Sequence, residues 1–417
     1  MSNPVTPAPR PDASPARPRR VFITVAEVSG DKHAAQFVRA LRELDPAVIV
    51  EGHGGPEMAA AGATIHRETV GKAAMGWRGA LRAAEIYGVL RWTRKHFDEN
   101  PPDLQVGVDS PSMNFHFARA AKERNVPVLQ YVAPQLWGWA PWRMKKLRRW
   151  VDRVACVLPF EEEYFRRHGV NTTFVGHPLF DELPPHRDPP PASERFPNRP
   201  PVIGIVPGSR KSVAAEHFPL LLQVAARIEE AFPEARFLVP TTAATHAVVQ
   251  EEVRGFADTG AKGGEGPGFV PRPAKVEYRR DAFDEMVPRC DFCLTVSGTA
   301  TLHVAGYNVP MIVVYYANPV LWQALGRWLI RLPTRTLVNL LAVGPNGSAA
   351  LHVTPEFTPW YGARIAESAE LAIDYLRHPE KLEAQRRRLD ELVRSLDKPG
   401  ASMNVARIAM EMMRGER

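Results

Sequence analysis

A chain of 417 residues, 45% of them hydrophobic and 24% charged, is long enough for two or three packed domains and has the balance of a globular protein in water. A net charge of +7 at neutral pH favours anionic partners: phosphorylated substrates, nucleic acid or an anionic membrane surface. Three cysteines exclude a disulfide framework, and no apolar run reaches the roughly 18 residues that a bilayer span requires.

Residues 1–20 hold six prolines and no apolar core, so they are expected to form a disordered tail, neither signal peptide nor anchor. A cytoplasmic location follows. From Val21 the chain alternates. Strands are expected at Val21–Val25, Val48–Gly55, Leu104–Val108, Val128–Val132, Val154–Leu158 and Thr173–Val175. Between them lie helical stretches at His33–Leu44, Glu57–Ala61, Met113–Arg124, Arg143–Val151 and Phe160–His168. Residues 183–201 contain eight prolines and read as a stiff linker. Alternation resumes with strands at Val202–Val206, Arg236–Pro240, Lys275–Glu277, Phe292–Val296 and Met311–Tyr315. Gly260–Gly268 reads as a mobile loop. The expected fold class is therefore α/β, with two doubly wound Rossmann-like domains facing a cleft. The domains are 21–182 and 202–397, with a C-terminal helix in 398–417 that either packs back on the first domain or is exchanged in a dimer.

Two turns have the chemistry of an anion site. In the first, strand Val202–Val206 breaks at Pro207-Gly208-Ser209, and a helix is under way by Ala214. Free N–H groups and the positive end of the helix dipole face such a turn, and Arg210 adds a planar fork suited to phosphate oxygens. An ordinary capped turn with a solvated Arg would read the same. The second turn, Ser297-Gly298-Thr299-Ala300-Thr301-Leu302-His303, also joins a strand to a helix and offers three hydroxyls. Two such turns at neighbouring strand ends suggest a clamped diphosphate, although Ser and Thr are also good N-caps.

In the first half, Asp109 ends a strand and is the candidate general base, or else a cap for the helix after Pro111. Glu27-Val28-Ser29-Gly30-Asp31 reads as a small-residue turn that lets a substrate approach, or again as a cap. Gln135, Trp137 and Trp139 fall in an aromatic turn that suits a sugar ring, an acyl chain or simple packing. Basic residues gather at Arg143–Arg149 and within Gly76–Phe97, where Arg82, Arg91 and Arg94 accompany Trp77 and Trp92. Such a face fits an anionic membrane surface or a solvated helix. The pieces at Leu321–Leu325 and Trp328–Ile330 are similar. No nucleic-acid recognition motif is present, so nucleic acid is not an expected partner. Cys290 and Cys293 lack a second pair and are read as packing residues. With no Asp-x-Asp and no His-x-x-x-His, neither a metal site nor a cofactor is expected.

Taken in order, several motifs match one family. They are Glu27-Val-Ser-Gly-Asp31, Gly54-Gly-Pro-Glu-Met58, Met75-Gly76, Asp109-Ser-Pro111 with Asn114, and Ala133-Pro-Gln-Leu-Trp-Gly-Trp139. Pro159-Phe-Glu161, Val175-Gly-His-Pro-Leu-Phe-Asp181, Pro207-Gly-Ser-Arg210, Ser297-Gly-Thr-Ala-Thr-Leu302, Asn339-Leu-Leu-Ala342 and Gly400-Ala-Ser402 follow. The chain resembles lipid-A-disaccharide synthase, a glycosyltransferase of the B-type two-domain fold. The resemblance implies inverting transfer of 2,3-diacylglucosamine from its UDP derivative to 2,3-diacylglucosamine 1-phosphate, giving a β-1,6-linked disaccharide 1-phosphate and UDP. It implies no metal, a peripheral place on the inner face of the inner membrane, and a homodimer with exchanged C-terminal segments. It puts Asp109 at the base position and Arg210 at the donor diphosphate; Gly208, Ser209, Ser297, Gly298, Thr299 and Thr301 of the two anion turns join Arg210 on the donor side. Glu27, Ser29, Gly30, Asp31, Asn114, Gln135, Trp137 and Trp139 fall on the acceptor side. The chain departs from the family pattern at Ala26, Val28, Ser112, Met113 and Val343–Phe357, and at His303, where the family carries a Glu that holds the donor ribose. Two other readings remain: a relative that binds a nucleotide sugar or glycolipid without transfer, and a UDP-sugar epimerase of the same fold.

Overall fold

The computed structural model describes residues 17–70, 78–138, 140–183, 196–260, 273, 275–316, 334, 336–344, 347–396 and 398–415, with backbone alone for 78–85 and 255–260. Seven strands form one parallel sheet. They are β1 (Arg20–Thr24), β2 (Ile49–Gly54), β3 (Thr64–Glu68), β4 (Leu104–Val108), β5 (Val128–Tyr131), β6 (Arg153–Cys156) and β7 (Thr172–Phe174), in the order β3-β2-β1-β4-β5-β6-β7. Six more form a second parallel sheet: β8 (Val202–Val206), β9 (Arg236–Thr241), β10 (Val276–Arg280), β11 (Phe292–Val296), β12 (Met311–Val314) and β13 (Glu356–Phe357). Their order is β10-β9-β8-β11-β12-β13. Central strands are mostly apolar because helices cover both faces; β4 is buried along its whole length, Gln105 included. Each sheet reverses its winding beside its first strand, between β1 and β4 and between β8 and β11. At such a switch point the chain leaves adjacent strands in opposite directions, and a crevice opens beyond their carboxyl ends.

The helices of the first half are α1 (Val28–Leu44), α2 (Pro56–Ala60), α3 (Arg78–Glu99), α4 (Pro111–Lys122), α5 (Met144–Trp150), α6 (Pro159–Arg167) and α7 (Leu179–Glu182). Those of the second are α8 (Lys211–Ala231), α9 (His246–Gly260), α10 (Phe283–Met286), α11 (Thr299–Gly306), α12 (Leu337–Val343), α13 (Ala363–Arg377) and α14 (Pro379–Leu396). A last helix, α15 (Ala401–Arg414), returns to the first half. Its Val405, Ala406, Ile408, Ala409 and Met410 complete the apolar core beneath β1 and α1. Asp181 fixes the join: its carboxylate accepts the N–H groups of Gly400 (2.8 Å), Ala401 (3.1 Å) and Ser402 (3.1 Å). Three donors orphaned at the start of α15 are thereby satisfied.

Several expectations need correction. The Glu27–Asp31 stretch is not a turn, because α1 starts at Val28, five residues before His33. Likewise α8 starts at Lys211 rather than Ala214. Residues 196–201 are not free linker. Asp291 accepts from the Phe196 and Val202 N–H groups and pairs with Arg199 at 2.7 Å, so this piece is tied to the second sheet. Residues 184–195 of the linker and 1–16 of the tail lie outside the described residues, as do 261–272 of the glycine-rich loop and the pieces around Leu321 and Trp328. Arg17, Arg19 and Arg20 are anchored by Asp103, Asp45 and Glu51. Cys290 and Cys293 pack as expected: both are buried against Gly204, where a Cβ would stand 2.5 Å from the Cys293 sulfur and 3.1 Å from that of Cys290.

Candidate active site

Asp109 follows β4 at the first switch point. It and Ser110 both take left-handed backbone angles, φ +50° and +37°. Two non-glycine residues in that region store strain that the surroundings must impose. They do so through a buried polar scaffold. Asn114 on α4 donates from Nδ2 to the carbonyls of Val108 (3.1 Å) and Asp109 (2.6 Å). Thr24 donates to Asn114 Oδ1 at 2.9 Å, and Gln105 donates to Thr24 at 3.1 Å. From β5, Gln130 reaches the same Asp109 carbonyl at 3.2 Å. Gly107 makes room for both amides: a Cβ there would stand 2.9 Å from Gln130 Oε1 and 3.0 Å from Asn114. Asn114 was expected to line the cleft; its side chain is instead buried and committed to holding the backbone under Asp109. Gln130 was missed, since one Gln in an apolar strand carries no periodic signal. The N-cap of α4 is Ser110, so Asp109 is released from the capping role. Burial pushes its carboxyl above the usual range, with Glu27 adding repulsion, while the Ser110 N–H and Arg210 pull the other way.

Glu27 stands at the N-cap position of α1, with no side-chain capping bond, and its charge acts on Asp109. Ser29 is exposed on the first turn of α1, and Gly30 lets the helix approach: a Cβ there would lie 3.5 Å from that of Asp109. Asp31 is not in the cleft. It is buried, and its carboxylate accepts from the N–H groups of Gly55 (2.9 Å) and Glu57 (3.0 Å), capping α2 from a distance. Gln135 is exposed. Trp137 packs edge-on against Phe160 and donates to Glu161 at 3.0 Å, which is a packing role. Burial raises the Glu161 carboxyl to about 8. Trp139 lies outside the described residues.

The second crevice faces the first. Gly208 has φ +96°, which turns β8 sharply into α8 and leaves Ser209 and Arg210 exposed. Arg210 meets Glu27 at 3.5 Å, an ion pair that spans the two halves. Gly298 and Thr299 are exposed at the start of α11, with Ser297 half-buried before them. The Thr301 hydroxyl is buried and donates to the Gly298 carbonyl at 2.8 Å, so it serves the turn itself. His303 lies one turn along. Its ring stacks on Phe283 (4.2 Å) and Tyr307 (5.6 Å), and Nε2 meets Asp284 Oδ1 at 2.8 Å. Tyr307 donates to the same oxygen at 2.9 Å. A carboxylate is thus present beside His303, carried by α10 rather than α11.

A half-buried carboxylate and an exposed guanidinium therefore face each other across two switch-point crevices. The arrangement suits acid–base chemistry beside a bound anion. Solved structures share the architecture. The glycosyltransferase of kitacinnamycin superposes with a TM-score of 0.56 at 14% identity over 95% of this chain and all of that one. A UDP-N-acetylglucosamine 2-epimerase described as putative, from Listeria monocytogenes, gives 0.57 at 14% identity over 96% of this chain and 98% of that one. At such identity the likeness speaks for the fold alone, a B-type glycosyltransferase fold that transferases and epimerases share. Sequence decides between them. The family model for lipid-A-disaccharide synthetase matches residues 21–347. The chain belongs to that family. Lipid-A-disaccharide synthase of Geobacter metallireducens is 32% identical over 399 residues, covering 95% of this chain and 97% of that protein. That of Nitrosococcus oceani is 32% identical over 400 residues, with the same coverage. The protein is thus an enzyme, a glycosyltransferase of lipid A biosynthesis, as the motifs implied.

Proposed function

We propose that the protein transfers 2,3-diacylglucosamine from its UDP derivative to the 6-hydroxyl of 2,3-diacylglucosamine 1-phosphate, with inversion at the anomeric carbon. The observation that carries this reading is the opposition of Asp109 and Arg210 across the crevices. Asp109 accepts the proton of the attacking hydroxyl as the new C–O bond forms. Its raised pKa favours that transfer. The bond from the anomeric carbon to the diphosphate breaks on the opposite side, and UDP leaves with the electron pair. Negative charge growing on the diphosphate meets Arg210 and the N–H groups that open α8 and α11. Glu27 holds Arg210 until the donor diphosphate takes its place. Purified protein with both substrates in detergent is expected to release UDP and disaccharide in equal amounts. Release of UDP without disaccharide, or of neither product, would overturn the reading.

Among the described residues no helix is long and apolar enough to cross a membrane. We propose peripheral attachment through the Arg143–Arg149 cluster, the first of the two basic clusters read from the sequence. Trp92 faces inward and stacks on His96 at 4.8 Å, and Arg94 pairs with Glu123, so neither suits a lipid contact. The Arg82 side chain and Trp77 lie outside the described residues. Trp142 instead is 69% exposed just before α5, whose Lys145, Lys146, Arg148 and Arg149 are all exposed. An exposed indole beside four cations fits an anionic bilayer surface.

A further inference from the structure

Three ligand-type side chains meet on the face of the first sheet covered by α3. Glu51 comes from β2, His66 from the edge strand β3 and His96 from the last turn of α3. His66 Nε2 lies 2.9 Å from Glu51 Oε2, and His96 Nε2 lies 3.1 Å from Oε1. One ligand atom from each falls within 4.8 Å of the others. We propose that Glu51, His66 and His96 form a binding site for a divalent transition-metal ion of the zinc type, separate from the cleft. Two imidazoles and a carboxylate are a donor set that such ions favour, and three protein ligands leave a fourth position for water.

The surroundings read as a built site. The ladder between β2 and β3 slips: Gly52 pairs with Ile65 but His53 pairs with Arg67, so His66 is the extra residue of a β-bulge. A bulge re-aims side chains. Here it turns both His66 and Arg67 toward α3, where Arg67 lies over Trp92 at 5.5 Å. Trp92 stacks on His96 with an 11° tilt, and Phe22 stacks under His66 at 6.2 Å with an 8° tilt. Both rings are therefore held in place before any ion arrives. Arg20 donates to Glu51 Oε1 at 2.9 Å, which orients the carboxylate and leaves Oε2 toward His66. His96 Nε2 is buried and misaligned for a hydrogen bond to Glu51, so its lone pair has no better partner in the described structure. The His66 and His96 side chains keep 21% and 13% exposure, enough for entry from solvent. A sequence reading misses the trio because its members sit 15 and 30 residues apart on three elements. An ion there would pin the C-terminal half of α3 to an otherwise weakly held edge strand.

The test uses the full chain, stripped with chelator, and Zn²⁺ or Co²⁺ alone. Calorimetry is expected to show one Zn²⁺ per chain with a dissociation constant of roughly micromolar or tighter. Co²⁺ should give visible bands of low coordination number without a thiolate charge-transfer band. His66→Gln and His96→Gln should each weaken Zn²⁺ binding at least about tenfold, with circular dichroism unchanged. If either variant fails to fold, Zn²⁺ protection of His66 and His96 from carbethoxylation in the unmodified chain replaces it. No saturable binding, binding unaltered in the variants, a thiolate band, or no protection would overturn the proposal.

Discussion

The ion pair between Glu27 and Arg210 makes the donor site testable in a way that Arg210 alone does not. A charge-assisted contact from Arg210 to a diphosphate contributes about 1.5–3 kcal/mol. To make it, Arg210 must give up Glu27. That pair is 3.5 Å long, with 75% and 49% of the two side chains exposed, so it contributes only about 0.2–1 kcal/mol. The net loss for Arg210→Ala is therefore about 0.5–2.8 kcal/mol, a weakening of UDP binding of roughly 2- to 100-fold. Glu27→Gln should do the reverse. Releasing Arg210 tightens UDP binding by up to about fivefold, more so at low salt. In the Arg210→Ala background the Glu27→Gln change should have no effect, because the pair it relieves is gone. Calorimetry of UDP against the four proteins closes the cycle. Equal affinities for the unmodified protein and Arg210→Ala, or a Glu27→Gln effect that persists without Arg210, would refute the reasoning.

Asp109→Asn is expected to lose transfer by about 10²-fold or more, measured as UDP release, while its melting temperature at neutral pH rises. The sign follows from a raised carboxyl pKa: the folded state binds the proton more tightly, so stability is lost as pH climbs from the unfolded pKa through the folded one, and Asn removes that loss. Asn also tolerates the left-handed angle at this position. Burial holds His177 near 3 and His33 near 4, both well below 6.5. The stability these neutral rings provide is complete above about pH 6.5 and is lost as pH falls toward those values. In His177→Asn, whose Oδ1 can accept the Leu179 N–H that Nδ1 now accepts, denaturant titrations should show a shallower acid slope. Asp181→Ala should cost about 0.5–2 kcal/mol by uncapping α15, read from urea midpoints. Reversing Lys145, Arg148 and Arg149 together should release the protein from anionic vesicles in low salt; undiminished binding would move the membrane surface elsewhere.

The sequence carried the layout of the fold because its strands are apolar runs punctuated by Gly and Pro. It failed where that signal is absent. Edge strand β3, Thr64-Ile-His-Arg-Glu68, holds a single apolar residue and a bulge, and β13 is two residues long. Helix starts were read late, at His33 for α1 and Ala214 for α8, because the turns that open these helices mix polar and glycine residues and carry no apolar period. The two ends of the site, Asp109 and Arg210, stood out as chemistry-bearing residues at strand ends. What holds them did not. Gln130 and Asn114 act through backbone carbonyls, Glu27 acts on a residue 183 positions away, and Asp31 caps a helix it does not precede. Such links depend on the tertiary fold, and residue type alone does not reveal them. His303 was placed correctly on its helix, but its partner Asp284 comes from another element.

The return of α15 to the first half has a consequence for how the molecule comes into being. Residues 17–183 emerge from the ribosome first, yet the apolar surface beneath α1 has no cover until Val405, Ala406 and Ala409 have been made. The whole second sheet is synthesised in between. The early half must wait with an open flank, the state in which nascent chains are most exposed to chaperones and proteases. Its closure then depends on Asp181 finding the N–H groups of residues 400–402. The crevice between Asp109 and Arg210 forms only when both halves of the chain are present, so translation itself sets the moment at which these two residues first face each other.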